Sequence, residues 1–169
     1  NNRILAYDVA GGVFDGMSAT FVIGQSNFTS GSAAVAQDRV SAPASVVTLD
    51  IVYEVGGSTF DAGARENIWV SDSGNNRVLI FDYESPATPT AGEAIDVIGH
   101  YSTSVSAIGT TPRFTNAAIY SGDSAPNSFS FSDVKKNYVD TVNHRLFVQD
   151  NDANRILIFN LDASNNLID

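Results

Sequence analysis

Cysteine is absent from this 169-residue chain, and lysine is nearly so. Without thiols there are no disulfides, no zinc–thiolate centres and no cysteine nucleophile. Lys135 and Lys136 are the only lysines, and 9 basic side chains face 19 acidic ones, for a net charge of −10. A balance this acidic argues against nucleic acid as a main partner and against an anionic membrane surface, because both need a basic patch. It leaves cations, basic proteins and neutral glycans. His100 and His144 are the only histidines, and neither has a His or Cys neighbour in sequence with which to hold a metal. No stretch approaches the roughly 18–20 apolar residues of a membrane span, so no membrane insertion is expected. No Gly-x-Ser-x-Gly motif occurs, and no serine or threonine stands in a recognisable nucleophile–base arrangement. Enzyme activity is therefore not expected of this segment.

Also missing is any amphipathic helical period, and the expected class is all-β. The N-terminus, Asn1-Asn2-Arg3-Ile4, has no basic segment followed by an apolar run and no initiator Met. The chain is read as a mature or excised piece whose targeting sequence lies outside it. Its low lysine content with abundant Ser, Thr, Asn and Gly resembles bacterial secreted or surface proteins, so the expected location is extracellular or cell surface.

What is present is an internal repeat. Asn2-Arg3-Ile4-Leu5-Ala6-Tyr7-Asp8 returns as Asn76-Arg77-Val78-Leu79-Ile80-Phe81-Asp82 and as Asn154-Arg155-Ile156-Leu157-Ile158-Phe159-Asn160, with the arginines 74 and 78 residues apart. Phe21-Val22-Ile23-Gly24-Gln25 returns as Asp96-Val97-Ile98-Gly99-His100, with the glycines 75 apart. Ile68-Trp69-Val70-Ser71-Asp72 and Leu146-Phe147-Val148-Gln149-Asp150 each precede an Asn-Arg unit. Each element reads as a strand: short, apolar, rich in β-branched and aromatic residues, and bounded by polar turns. The unbroken apolar runs 78–81 and 156–159 predict burial on both faces. Ser73-Gly74-Asn75-Asn76 predicts a hairpin turn. One complete unit then holds four strands, Ala44–Asp50, Asn67–Asp72, Arg77–Asp82 and Ala94–Gly99. A further unit supplies Ser132–Asp140, Arg145–Asp150 and Arg155–Leu161, and an N-terminal one only Arg3–Val9 and Ala19–Gly24.

The segment 68–82, an apolar strand ending in Asp, a turn, Asn-Asn-Arg and a strand ending in Phe-Asp, resembles the NHL repeat. Residues 150–155 depart from it by replacing the turn Gly and one Asn. The resemblance implies a β-propeller of four-stranded antiparallel blades, of which this chain carries a partial set, and it implies a fold more than a function. On that reading residues 1–25 are the last two strands of a blade and 26–43 an insertion loop. Residues 44–100 form a complete blade with an insertion at 51–66, 101–131 a second loop, and 132–169 the first three strands of a further blade. Some NHL-like propellers are zinc lyases that need several histidine ligands, and this segment has too few.

Asp72, Asn76 and Arg77, with Asp150, Asn154 and Arg155, are read as structural: the aspartates accept backbone hydrogen bonds in the hairpin turn, and the arginines bridge blades through charge-assisted bonds. A catalytic site is needed once, whereas this set repeats. Asp150, Asp152 and Asn154 place oxygens at alternate positions, a spacing that suits calcium, without the Gly and distal Glu of an EF-hand loop. No other cofactor is expected. Asn27-Phe28-Thr29 matches a glycosylation sequon. The long loops 25–43 and 100–131 are expected on the face of the Asp72 and Asp150 turns, and the 51–66 insertion on the opposite face. Phe28, Tyr101, Arg113, Phe114 and Tyr120 are their candidate binding residues. The expected role is a non-catalytic scaffold that binds a protein or glycan through this loop face. The alternative is a structural module of an extracellular filament or surface layer, completed by neighbouring blades or by copies of itself, and a third, less favoured, is an enzyme that uses residues outside this segment.

Overall fold

A computed structural model describes residues 1–48, 67–82, 92–100, 114 and 117–168. Among these residues the fold is all-β, three antiparallel sheets in series with no α-helix. No helix among them is long and apolar enough to cross a membrane. The first sheet pairs β1 (Ile4–Ala6) with β2 (Phe21–Ile23). The second runs β3 (Pro43–Thr48), β4 (Asn67–Asp72), β5 (Arg77–Asp82) and β6 (Asp96–Ile98), each strand beside the next in sequence. The third runs β7 (Val134–Asp140), β8 (Arg145–Asp150) and β9 (Arg155–Asn160). The strands at both ends of the repeat are shorter than the sequence predicts. β1 and β2 pair over only three residues, from Ile4↔Ile23 to Ala6↔Phe21, and no described strand supports the other edge of β1.

The repeat extends to backbone detail. Both first strands carry a register irregularity near their start, between Pro43 and Ser45 in β3 and between Val134 and Asn137 in β7. The residue entering each third strand is left-handed, with φ of 46° at Asn2, 54° at Asn76 and 52° at Asn154. Asparagine suits this place because its short polar side chain tolerates a conformation most residues avoid.

Two apolar clusters join the sheets. Phe21 and Ile23 of the first sheet and Val40 of the following loop pack on Ile68, Val70, Leu79 and Phe81. Trp69, Val78 and Ile80, on the opposite face of the second sheet, pack on Val134, Val139, Leu146 and Val148 of the third. The second sheet is thus covered on both sides, and every residue of β4 is buried. That is why β5 reads as an unbroken apolar run: alternate residues serve different cores.

The same expectation fails for β9. Leu157 and Phe159 face the core against the second sheet, but Ile156 and Ile158 are 63% and 56% exposed. The strand has the composition of a doubly covered one, and no described element lies over its outer face. Tyr138 of β7, 63% exposed, tilts against the ring of Phe147 at 6.2 Å in the same sheet.

Candidate functional site

The repeated turns are built from a buried ion pair. The Arg77 Nε–H donates to Asp72 Oδ2 at 2.7 Å, and both side chains are fully buried. Arg155 Nε makes the same bond to Asp150 Oδ2 at 2.8 Å, with Arg155 24% exposed. The other oxygen of each aspartate accepts a backbone N–H, from Ser41 at 2.6 Å and from Ser132 at 2.7 Å. These donors lie just before the first strand of the sheet, not in the hairpin turn as the sequence reading had it. The aspartate therefore pins the incoming loop, and the turn itself is closed by Asn75 Nδ2 donating to Asp72 Oδ2 at 2.8 Å.

The arginines also differ from expectation. They hold loops by main-chain carbonyls and bond no described strand of the neighbouring sheet. Arg77 Nη2 donates to Ala36 O and Arg39 O, both at 3.0 Å, and its Nη1 donates to Phe114 O. Arg155 Nη2 donates to Ser130 O at 2.8 Å. Arg3 Nη1 donates to Phe28 O and, at 3.0 Å, to Ser30 O. Each guanidinium fork is a clip for connecting chain.

The candidate binding residues take their places in this scheme. Phe28 and Phe114 present their carbonyls to arginines, and the half-buried Phe114 ring packs against the cluster between the first two sheets. Tyr120 is half-buried with φ of 50°, and its N–H donates to Phe131 O at 2.9 Å. Tyr101 and Arg113 lie outside the described residues, as do the 51–66 insertion and residues 101–113, 115 and 116 of the second loop. Two of the three calcium-candidate side chains are engaged internally: Asp150 holds Arg155 and Ser132, and Asp152 Oδ2 accepts from Ser132 Oγ at 3.1 Å, while the Asn154 carboxamide has no partner among the described residues. Arg155 supplies the positive charge beside Asp150. No group of three or more His, Asp or Glu side chains that could hold a metal occurs among the described residues. His100 Nε2 bonds Asn75 O at 2.8 Å, and His144 Nδ1 bonds Asn165 Oδ1 at 2.8 Å. The Asn27 carboxamide of the sequon ties its own turn, accepting from the Thr29 and Ser30 amides at 2.9 and 2.8 Å.

Sequence reasoning missed two parts of the site. The first is the seat for each loop on a glycine. Gly99, at φ of 104°, lies so close to Phe131 that a Cβ would stand 2.5 Å from the ring, and Gly24, at φ of 79°, stands in the same relation to Val40. The second is Asp133, whose Oδ1 accepts from Ser73 Oγ at 2.7 Å and Lys135 Nζ at 2.5 Å, and whose N–H donates to Asn76 Oδ1 at 2.8 Å. It stitches the turn of the second sheet to the first strand of the third. A signal for the first was legible, since Ile-Gly recurs in the repeat. Asp133 has no counterpart of its type, because Ala42 stands in its place.

The carboxylates set an acid limit. The Lys135 bond holds Asp133 below the ordinary 3.8, donation from Asn143 does the same for Asp140, and the Asn166 amide does so for Asp162. The unfolded chain therefore takes up these protons first, and the stability from the ionised groups is present above about pH 4 and is lost as pH falls from there through the folded values. Asp72 acts the opposite way, because burial pushes its carboxyl up against the pull of Arg77. As pH goes from 5 to 3 the urea midpoint should therefore lose less, or gain more, in Asp162→Asn than in the parent, and equal changes in the two proteins would contradict the assignment to Asp162.

No protein-family model, no curated protein and no solved structure matches this chain.

Proposed function

We propose that this chain is a run of consecutive blades of an NHL-type β-propeller, acting as a non-catalytic scaffold that binds a protein or glycan through its loop-bearing face, at the cell surface or secreted. The observation that carries this reading is the use of the repeated polar unit. Asp72 and Arg77 form a fully buried ion pair, Asp150 and Arg155 a partly buried one, and the bonds each pair makes hold connecting chain in place. A scaffold needs such clips in every repeat, while a reaction centre needs free groups in one. Sheets in series, each laid face to face on the next with strands in sequence order, agree with blade packing.

A second reading has its own support. The exposed Ile156, Ile158 and Tyr138 on the third sheet, beside an edge of β9 that no described strand pairs, suit a structural module completed by neighbouring chains. Light scattering over a range of concentrations tests both. Closed oligomers of defined size support the scaffold, with rings completed between copies. Open-ended growth supports the filament module. In either case the double variant Ile156→Lys/Ile158→Lys should remain monomeric. A monodisperse monomer of the unaltered chain at every concentration would overturn the propeller reading, because the outer face of β9 would then need no cover.

A further inference from the structure

Three Asn-Arg pairs stand at the same place in their sheets, and two of them grip a strap of main chain in the same way. Asn2 Nδ2 donates to Gly31 O at 2.9 Å, Asn2 Oδ1 accepts the Ala42 N–H at 2.9 Å, and Arg3 Nη1 donates to Phe28 O. Asn76 Nδ2 donates to Ala117 O at 3.0 Å, Asn76 Oδ1 accepts the Asp133 N–H at 2.8 Å, and Arg77 Nη1 donates to Phe114 O. In both straps the arginine takes the carbonyl of a Phe that precedes Thr, and the asparagine takes the carbonyl three residues on. The N–H returned to the asparagine comes from Ala42 or Asp133, each with positive φ (48° and 60°), at the entry to the next sheet.

The third pair has the same frame, and no described residue forms a strap on it. Asn154 is left-handed like its counterparts, and Arg155 makes the two bonds that correspond to those of Arg77 with Asp72 and with the preceding loop. Arg155 Nη1 and the Asn154 carboxamide have no partner among the described residues. They open onto a depression of about 450 Å³ lined by Gln149, Asp150, Asn151, Asn154, Arg155 and Ile156.

The geometry points to a peptide-binding site here: the depression takes a polypeptide strap that begins Phe-Thr. Its Phe carbonyl accepts from Arg155 Nη1, the carbonyl three residues later accepts from Asn154 Nδ2, and a downstream N–H donates to Asn154 Oδ1. Recognition runs through the main chain and uses a rigid donor fork already held by Asp150 and Ser130, so little ordering cost remains on the protein side. Ile156 is the one apolar side chain of the lining against which the Phe ring can pack. The site goes beyond the scaffold reading and does not depend on closure of a ring.

The test uses the whole chain and a fluorescein-labelled peptide of residues 27–42, followed by anisotropy. Saturable binding is expected, weakened at least tenfold by Arg155→Lys, which keeps the charge and removes the fork, and by Asn154→Gly, which keeps the left-handed backbone. Cooperative melting above the temperature of the binding assay establishes that both variants fold. Phe28→Ala within the peptide should weaken binding as well, and Arg3→Lys in the protein should leave it unchanged. Self-association of the chain that the peptide reverses would count as the same result, with the strap supplied by a second copy. The proposal is overturned by no binding at millimolar peptide, by equal binding of a scrambled peptide, by variants at 154 and 155 that bind as well as the parent, or by loss confined to Arg3→Lys.

Discussion

Arg77→Met is expected to destabilise the fold by about 3–5 kcal/mol, the range for removing one partner of a buried ion pair. The guanidinium is fully buried and has four described hydrogen-bond acceptors, Asp72 and the carbonyls of Ala36, Arg39 and Phe114. Its loss leaves the Asp72 carboxylate without a counter-charge and three carbonyls without donors, in a place water does not reach. The carbonyls belong to both loops flanking the second sheet, so their release unpins the chain on both sides. Urea unfolding followed by circular dichroism measures the loss. Arg155→Met should cost clearly less, because Arg155 is 24% exposed and holds a single loop carbonyl. The double variant Asp72→Asn/Arg77→Met should recover part of the loss by removing the orphaned charge. A loss below about 1 kcal/mol in Arg77→Met would place the pair among weak surface bridges and contradict its burial.

Trp69→Ala is expected to cost a similar amount, about 3–5 kcal/mol, through lost apolar contact and the cavity left behind. Trp69 lies on β4 between Val47 and Ile80, is fully buried, and sits in the cluster that joins the second sheet to the third. It is the only tryptophan, so fluorescence cannot follow the variant and far-ultraviolet circular dichroism must. Trp69→Phe should recover more than half of the loss, since a ring of smaller volume still fills most of the site. If Trp69→Ala unfolded at the parental urea concentration, the cluster would not be what holds these sheets together.

Much of this was legible along the chain. The beat of Arg3, Arg77 and Arg155 gave the order and number of strands, because an apolar run of four with polar turns at both ends has few other uses. The all-β class followed from the missing helical period. That Asp72 and Arg77, like Asp150 and Arg155, belong to one repeated unit was legible. Their partners were not, since a carbonyl 37 residues away leaves no mark in residue type, and the Arg-to-Phe interval changes from 25 in the first strap to 37 in the second. The Phe-Thr dipeptide that marks both straps is short enough to pass as chance until the arginines are seen on its carbonyls.

The sequence by itself determined the local conformations: which segments are strands, where the left-handed asparagines stand, and which residues carry apolar bulk. Those follow from side-chain shape and period, which act over a few residues. Only the tertiary structure decided which apolar faces are covered. Val78-Leu79-Ile80-Phe81 and Ile156-Leu157-Ile158-Phe159 are nearly the same words, yet the first is buried throughout and the second is half exposed. Burial is a property of neighbours, and the neighbours of β5 come from strands far away in the chain, so no local pattern in β9 could report that no described element covers its outer face.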